Sequence, residues 1–276
     1  MFSVIFPGQG SQIVGMGKEF YDKFDLVKNL FKQADEALDL SLSKIILEGP
    51  KEELDLTTNT QPAIFLISYS IFQVIIKEFN IDLHKAKFFA GHSLGEYSAI
   101  ACAGYLDFQD TVKILKIRGE AMQNSVPKGE GGMIAVLGIS IKDIEKIFED
   151  NKNTFSAEIA NDNSEGQMVV SGKTQDLKKL SSLLKEKKIK NITLPVSAPF
   201  HCSLMNNATD IMKEELGKLR FKKGNNLLIS NITADKILNS EELKNLLTKQ
   251  IENRVRWRES VIKMINEKVD QFIEIG

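Results

Sequence analysis

The sequence predicts an α/β protein in which a largely parallel sheet carries a smaller unit as an insertion. Two observations lead to this prediction. Strand-like and helical stretches alternate from the N-terminus to about residue 124, which is the pattern of a parallel sheet covered by helices. Between Pro127 and Pro195 the order changes to strand, helix, two strands joined by a hairpin, helix and strand, which is the ferredoxin-like βαββαβ order.

Apolar runs and capping residues give the elements of the first part of the chain. A strand is expected at 2–6, followed by a glycine-rich turn and a helix near 18–38. Thr60 is expected to cap an apolar helix from Pro62 to Phe79, because proline is tolerated at the start of a helix. The elements that follow are a buried strand at 87–90, a helix to about 103 and a helix from Asp107 to about 124.

The inserted small domain is predicted to span 127–196, which leaves 1–126 and 197–276 as the large domain. Its expected elements are strands at 133–137, 157–161, 167–171 and 191–194, with helices from Ser140 to Glu149 and from Thr174 to Lys187. The chain is then expected to return to the large domain through a helix near 204–218, a strand at 227–230, two helices and a last strand at 271–275.

Composition excludes several classes of protein. The 276 residues are 42% hydrophobic and 26% charged, which is ordinary for a globular protein, and the net charge of −1 gives no bulk attraction to nucleic acid or to an anionic membrane. Cys102 and Cys202 form no zinc or redox pattern, so no metal or redox cofactor is expected. The N-terminus has no basic leader, and the apolar stretch 62–76 is shorter than the roughly 20 residues that a bilayer needs. We therefore expect a cytoplasmic protein in which 62–76 is a buried helix.

Ser93 lies in a Gly-His-Ser-Leu-Gly turn between a strand-like and a helical stretch. Gly-x-Ser-x-Gly in this context is typical of a nucleophile elbow, in which small residues on either side let a tight turn lift the serine hydroxyl above the sheet. The next helix directs its N-terminal N–H groups at the same place, where they can stabilise an oxyanion. The sequence therefore predicts that Ser93 is a nucleophile.

A serine nucleophile needs a base, and the chain offers only three histidines. His92 adjoins Ser93 and should point away from it, and His84 lies in a lysine-bearing loop, so His201 is the predicted base by elimination. No acidic residue stands out as the third member of a triad. Two alternatives therefore stay open: the acid is one of several in the insert, or a neutral group such as a backbone carbonyl orients the histidine. The candidate acids are Asp143, Asp150, Glu158, Asp162 and Asp176.

Two further features complete the predicted site. The turn Phe-Pro-Gly-Gln-Gly-Ser-Gln at 6–12 matches neither a dinucleotide fingerprint nor a P-loop, but it exposes backbone N–H groups, and those of Gln9 and Leu94 could together form an oxyanion hole. Arg118 lies on an otherwise inward helix face with Met122. A buried guanidinium needs an anion, which could be a substrate carboxylate or the side chain of Glu96 or Glu120.

Together these residues resemble the malonyl-CoA:acyl-carrier-protein transacylase family of fatty-acid synthesis over nearly the whole chain. The matching motifs, in the family's order and spacing, are 6–12, Gln-Pro-Ala at 61–63, Gly-His-Ser-Leu-Gly-Glu at 91–96, Arg118 with Met122, and Ala-Pro-Phe-His at 198–201. Two departures are an arginine at 254, where the family usually has proline, and the absence of the family's Gly-Pro turn and further helix after Gly276.

The resemblance implies an α/β-hydrolase-like large domain and a ping-pong transfer of malonyl from coenzyme A to acyl carrier protein, with no cofactor. It also implies that the Gln250 carbonyl orients His201, that Arg118 and Met122 contact the acyl group, and that Phe200 marks the malonyl-selective form. Two alternatives are a serine esterase or thioesterase with the same elbow, and a non-catalytic docking module. An acidic carrier could dock on a basic patch formed by the arginines at 254, 256 and 258 or by the lysines at 185, 187, 188 and 190.

Overall fold

The computed structural model describes residues 1–196 and 198–276, so Ser197, where the large domain was predicted to resume, lies outside the described residues. The strands are β1 (Phe2–Phe6), β2 (Phe88–Gly91), β3 (Gly131–Leu137), β4 (Ala157–Ser164), β5 (Gln167–Lys173), β6 (Lys190–Thr193), β7 (Leu227–Leu228) and β8 (Gln271–Glu274). The helices are α1 (Lys18–Lys23), α2 (Asp25–Leu38), α3 (Leu42–Glu48), α4 (Lys51–Leu54), α5 (Thr57–Lys77), α6 (Leu94–Cys102), α7 (Phe108–Asn124), α8 (Ile141–Asp150), α9 (Thr174–Glu186), α10 (Asn206–Lys218), α11 (Ser240–Gln250) and α12 (Trp257–Asn266).

A parallel sheet forms the first layer, with strand order β7-β2-β1-β8. All four residues of β2 are buried, and Val4 and Phe6 of β1 are fully buried as well. A parallel sheet is covered by helices on both faces, which is why its strands read as continuous apolar runs. The predicted α/β class is confirmed, and the carboxyl ends of β1 and β2, at Phe6 and Gly91, lie side by side.

An antiparallel sheet of order β4-β5-β3-β6 forms the second layer, and it has the predicted ferredoxin-like topology. Residues from β3, β5, α8 and α9 form a separate hydrophobic cluster around Ile134 and Val136. The alternate residues Met133 and Val169 belong instead to the main core, so one face of this sheet packs against the parallel-sheet unit. The limits of 127 and 196 for a small domain stay a prediction.

The start of the long apolar helix was predicted wrongly. α5 begins at Thr57, and Thr60 lies inside the helix, where its hydroxyl donates to the carbonyls of Leu54 at 2.6 Å and Leu56 at 3.0 Å. By length and composition α5 could cross a membrane, but 72% of its apolar window is buried inside the protein. The prediction of a buried helix is confirmed, although the helix is longer than the apolar stretch 62–76 suggested.

Three smaller differences between the predicted and the observed elements are local. The predicted helix at 18–38 is two helices, because Phe24 is extended between α1 and α2. The short helices α3 and α4 were not predicted. Asp107 precedes α7 but makes no capping hydrogen bond, because its carboxylate pairs with Lys222 at 2.5 Å, whereas Ser140 caps α8 as predicted.

Candidate active site

The Ser93 turn lies where β2 passes into α6, with no room for side chains at the two glycines. A Cβ on Gly91 would lie 1.9 Å from the carbonyl oxygen of Gly95, and a Cβ on Gly95 would lie 2.5 Å from that of Phe6. Ser93 itself has φ 54° and ψ −110°, a conformation that costs a non-glycine residue about 1–3 kcal/mol. Such strain persists only where the surroundings impose the conformation, and it presents the hydroxyl at the carboxyl end of the sheet.

Asn231 holds this turn in place, and sequence reasoning did not identify it. The N–H of Ser93 donates to Oδ1 of Asn231 at 2.8 Å, and Nδ2 of Asn231 donates to the carbonyl of Gly91 at 2.7 Å. Asn231 is fully buried and follows β7, the neighbour of β2 in the sheet. The only available signal was its place just after a predicted strand, at the sheet edge where ligand sites of α/β proteins form.

Ser93 and His201 are in hydrogen-bond contact. The distance from Oγ of Ser93 to Nε2 of His201 is 2.8 Å, and Nδ1 of His201 lies 2.8 Å from the backbone carbonyl of Gln250. A carbonyl can only accept, so Nδ1 carries the proton and Nε2 offers its lone pair to the serine hydroxyl. Burial and the Arg118 cation lower the pKa of His201 to about 3, which keeps the imidazole neutral and able to accept a proton.

The structure distinguishes between an acid and a neutral group as the hydrogen-bond partner of Nδ1 of His201. The partner of Nδ1 is a carbonyl, and Asp143, Glu158, Asp162 and Asp176 of the insert contact other groups instead. Asp162 pairs with Arg258 at 2.9 Å, and Glu158 accepts from the N–H of Ser203 at 3.0 Å. The arrangement is a serine–histidine pair oriented by a backbone carbonyl, although the catalytic roles themselves stay a prediction.

Arg118 is buried beside the serine. Its side chain is 1% exposed, Nη2 donates to Oγ of Ser93 at 3.1 Å and to Oε1 of Gln250 at 2.8 Å, and Nη1 donates to Oε1 of Gln61 at 2.6 Å. In the part of the chain that the structure describes, no carboxylate pairs with it. Glu120 pairs with Lys116 instead, at 3.7 Å. A buried cation held only by neutral groups is costly, and an anion placed beside it would offset that cost.

The side chain of Gln250 connects Arg118 to a buried acid, Glu96. Its Nε2 donates to Oε2 of Glu96 at 2.5 Å and to the carbonyl of Ser93 at 3.0 Å, while its Oε1 accepts from Arg118. Glu96 therefore faces Arg118 across one amide rather than pairing with it directly. Burial raises the pKa of Glu96 to about 7, against the opposing effect of the hydrogen bond from Gln250. The resemblance implied a role for the Gln250 carbonyl alone, so this use of the side chain was missed.

A cavity of about 280 Å³ opens over the serine, between the two sheets. Its wall includes Gln9, Leu94, Met122 and Phe200, as well as Ser93, Arg118 and His201. The antiparallel sheet supplies the opposite wall through Met133, Ala135, Asn161, Asn163, Gln167 and Val169. The cavity thus combines apolar walls with a serine hydroxyl, an imidazole in contact with that hydroxyl and a buried cation, an arrangement that suits acylation of the serine by a donor that carries a carboxylate.

The predicted residues Gln9, Met122 and His92 also line this cavity, and each makes a defined contact. The side-chain amide of Gln9 donates to the Thr57 hydroxyl at 3.2 Å, and Sδ of Met122 accepts from Gln61 at 3.8 Å. His92 points away from the hydroxyl, with Nε2 2.9 Å from Oδ1 of Asn163. The oxyanion-hole roles of the Gln9 and Leu94 N–H groups, and the acyl contacts of Met122 and Phe200, stay predictions. Residues 1–196 and 198–276 contain no group of three His, Cys, Asp or Glu side chains that could hold a metal ion.

The predicted arginine patch is not a free cationic surface. Arg254 pairs with Glu145 at 3.2 Å, Arg256 pairs with Glu259, and Arg258 makes a bidentate pair with Asp162. These pairs neutralise the charge that an acidic partner would need, so the arginines instead connect α12 and the segment before it to their neighbours. The lysines at 185, 187, 188 and 190 are exposed, and docking of a carrier on them stays a prediction.

Comparison with known proteins identifies the family to which this chain belongs. Residues 3–276 match the acyl transferase domain family, and the chain belongs to that family. Among its relatives, the Bacillus subtilis (strain 168) protein named malonyl CoA-acyl carrier protein transacylase is 42% identical over 274 residues, covering 99% of this chain and 85% of the relative.

Solved structures agree with this assignment. A crystal structure of acyl-carrier-protein-S-malonyltransferase from Bartonella henselae has a TM-score of 0.96 and 40% identity, covering 100% of this chain and 88% of that one. A malonyl-transacylase in complex with its type II PKS acyl-carrier protein has a TM-score of 0.95 and 33% identity, again covering 100% and 88%. The α/β fold with a second, antiparallel sheet is therefore the fold of these enzymes.

Proposed function

We propose that this acyltransferase moves the malonyl group from malonyl-CoA to the phosphopantetheine thiol of acyl carrier protein, through a malonyl ester on Ser93, in fatty-acid biosynthesis. The single observation that carries the proposal is the buried Arg118, which has no carboxylate partner among the described residues and donates to the hydroxyl of Ser93 at 3.1 Å. A donor that places a free carboxylate near its reacting carbonyl meets both requirements. In a malonyl thioester one methylene separates the two groups.

The first half-reaction acylates the serine. Nε2 of His201 accepts the hydroxyl proton as Oγ of Ser93 attacks the thioester carbonyl, and the Gln250 carbonyl stabilises the imidazolium through Nδ1–H. The N–H groups of Gln9 and Leu94 take the oxyanion, and removing one such donor typically costs about 10²- to 10³-fold in rate. The C–S bond then breaks, His201 returns the proton to the departing thiolate, and free coenzyme A leaves.

The second half-reaction reverses these roles with a different thiol. The phosphopantetheine thiol of the carrier protein gives its proton to Nε2 of His201 and attacks the malonyl ester. The tetrahedral intermediate expels Oγ of Ser93, which takes the proton back from His201, so bonds and protons balance over the cycle. Arg118 keeps the malonyl carboxylate in place through both halves, with Met122 and Phe200 shaping the acyl pocket.

The remaining assignments follow from the same chemistry. Each step uses only side chains, backbone groups and the two thiols, so we propose that the reaction needs no cofactor. The carrier protein as acceptor is supported by the relatives' names and by the related complex. We propose a large catalytic domain of 1–126 and 197–276, a small domain of 127–196 that covers the cavity, and a cytoplasmic location.

An esterase or thioesterase could use the same elbow, but the acyl pocket argues against one. A pocket for a plain acyl chain would be apolar beside the nucleophile, whereas here a buried guanidinium contacts Ser93. A docking module without catalysis would not need the 2.8 Å contact from Ser93 to His201.

The test is intact-mass measurement after mixing the protein with malonyl-CoA in the absence of carrier protein. We expect one malonyl group to be added, to be lost on addition of carrier protein bearing its phosphopantetheine thiol, and to be absent in Ser93→Ala. Ser182→Ala, at an exposed serine of α9, is the matched control and should acylate normally. An unmodified mass under saturating donor would contradict the proposal, and rapid release of malonate without any thiol acceptor would identify an esterase instead.

A further inference from the structure

Glu96 is a buried carboxylate that the proposed mechanism does not use. It is 1% exposed and is the third residue of α6, three positions after the nucleophile. Its oxygens accept from the side-chain amide of Gln250 at 2.5 Å and from the backbone N–H of Asn231 at 3.3 and 3.4 Å. A buried acid that accepts only neutral donors is costly to ionise, so its presence behind the nucleophile calls for a physical reason.

Both residues that Glu96 contacts also contact the catalytic turn. Gln250 reaches from Glu96 to Arg118 and to the carbonyl of Ser93, and Asn231 reaches from Glu96 to the N–H of Ser93. Glu96 therefore anchors the side chain of Gln250 and the backbone of Asn231, and these two residues in turn hold the backbone of the nucleophile and Nη2 of Arg118. It touches neither the hydroxyl nor the cavity.

Charge balance gives this arrangement a second consequence. When Glu96 is ionised in the free site, its charge and that of Arg118 offset each other across the Gln250 amide. Binding of a malonyl carboxylate to Arg118 would bring a second anion into the same low-dielectric region. Like charges repel more strongly in a low-dielectric interior than in water. Occupation of Arg118 by the donor's carboxylate therefore favours the protonated, neutral form of Glu96.

We propose that Glu96 is a positioning residue that also couples acyl-donor binding to a proton: it holds Gln250 and Asn231 against the catalytic turn, and it takes up a proton when the donor's carboxylate occupies Arg118. This proposal rests on the proposed function, because it requires a donor with a free carboxylate. It assigns to Glu96 a part in selecting carboxylate-bearing acyl groups that does not involve contact with substrate.

The other ionisable groups around Glu96 do not titrate near neutral pH. Arg118 of α7 stays a cation, and burial raises the pKa of Tyr97, next to Glu96 on α6, above its usual range. The pKa of His201 is lowered to about 3, and burial also lowers the pKa of His92 in the turn. The raised pKa of Glu96, about 7, thus makes it the group in this network that changes charge between about pH 6 and pH 8.

The first experiment measures binding without turnover, by calorimetry on Ser93→Ala with malonyl-CoA and with acetyl-CoA. We expect malonyl-CoA to bind on the order of tenfold more tightly at about pH 6 than at about pH 8, with uptake of part of a proton at about pH 7. Acetyl-CoA shares the coenzyme A phosphates but lacks the carboxylate, so it should show neither effect. Equal pH dependence for both donors would overturn the proposal.

The second experiment adds Glu96→Gln, which keeps the size of the side chain and removes its charge. In the double variant with Ser93→Ala, malonyl-CoA should bind tightly at both pH values with no proton uptake. The matched control is Glu120→Gln, at an exposed acid of α7, which should keep the pH step. In the otherwise wild-type enzyme, the KM for malonyl-CoA should rise with pH on the order of tenfold, and Glu96→Gln should abolish that rise.

Two outcomes separate this inference from the proposed function. A pH step that persists in Glu96→Gln would overturn the role of Glu96 while malonyl transfer stands. Absence of malonyl transfer by the wild-type enzyme at every pH would overturn the proposed function itself. If Glu96→Gln does not fold, the proton uptake of Ser93→Ala with malonyl-CoA but not with acetyl-CoA still decides the coupling.

Discussion

Replacing Arg118 by alanine should remove malonyl transfer while sparing transfer of an acyl group that lacks a carboxylate. The guanidinium is 1% exposed and holds no carboxylate of its own among the described residues, so the donor's carboxylate would be desolvated against it. Removing one partner of such a buried pair costs about 3–5 kcal/mol. At 1.4 kcal/mol per factor of ten, kcat/KM for malonyl-CoA should fall by about 10²- to 10⁴-fold.

The assay compares malonyl-CoA with acetyl-CoA under the same conditions, with carrier protein as acceptor. Acetyl transfer should change by less than about tenfold or increase, because the Ser93–His201 contact stays and the cation that depresses the basicity of His201 is gone. Arg118→Met, which keeps most of the side-chain volume, should behave like the alanine variant. Lys116→Ala, on the same helix, is the matched control and should leave both donors unchanged.

Equal losses for the two donors would refute the reasoning. That result would mean that Arg118 supports the Ser93 hydroxyl or the fold rather than the acyl carboxylate. Circular dichroism and thermal unfolding of each variant separate these two causes, since a folding defect lowers the unfolding temperature along with both activities.

Three other predictions concern the base, the elbow and the neutralised arginines. Because the pKa of His201 is lowered to about 3, the imidazole is neutral above that pH. The value of kcat/KM for acetyl-CoA should therefore stay constant from about pH 8 down to about pH 5. A loss of activity with an apparent pKa near 6.5 in the pH profile would contradict this. Gly95→Ala should lower the free energy of unfolding by at least about 3 kcal/mol in urea titrations, because the new Cβ would meet backbone atoms at 2.5 Å. Gly217→Ala in α10 is the control. It has open space around the new Cβ and should raise the free energy of unfolding by about 0.5–1 kcal/mol. Arg258→Ala should cost about 2 kcal/mol by leaving the buried Asp162 unpaired, and it should not raise the KM for carrier protein; a raised KM with unchanged stability would restore the arginines as a docking surface.

Local sequence signals were enough for the groups that react. Ser93 was found from the strand, turn and helix around two glycines, and His201 from the scarcity of histidines. Arg118 was found from its place on an inward helix face, and its burial is confirmed. The signals for Ser93 and Arg118 depend only on residues within a few positions, whereas His201 was identified by elimination among the three histidines of the whole chain.

The groups that hold these side chains were harder to predict, because they come from distant parts of the chain. Asn231 and Gln250 reach Ser93 across 138 and 157 positions, and no local pattern marks an amide for such a contact. Glu96 was one of several candidate partners for Arg118, whereas the side-chain amide of Gln250 separates the two side chains. The start of α5 was missed for a similar reason, since Thr60 bonds to carbonyls of the preceding residues from inside the helix.

The long spacing along the chain between the reacting groups has a consequence for protein synthesis. The serine leaves the ribosome early, but its imidazole partner is residue 201, and the carbonyl and amides that orient both come from residues 231 and 250. An unfinished polypeptide therefore contains the nucleophile without the means to activate it. On the proposed mechanism, activity can therefore arise only after residues 231 and 250 have been synthesised and have joined the fold.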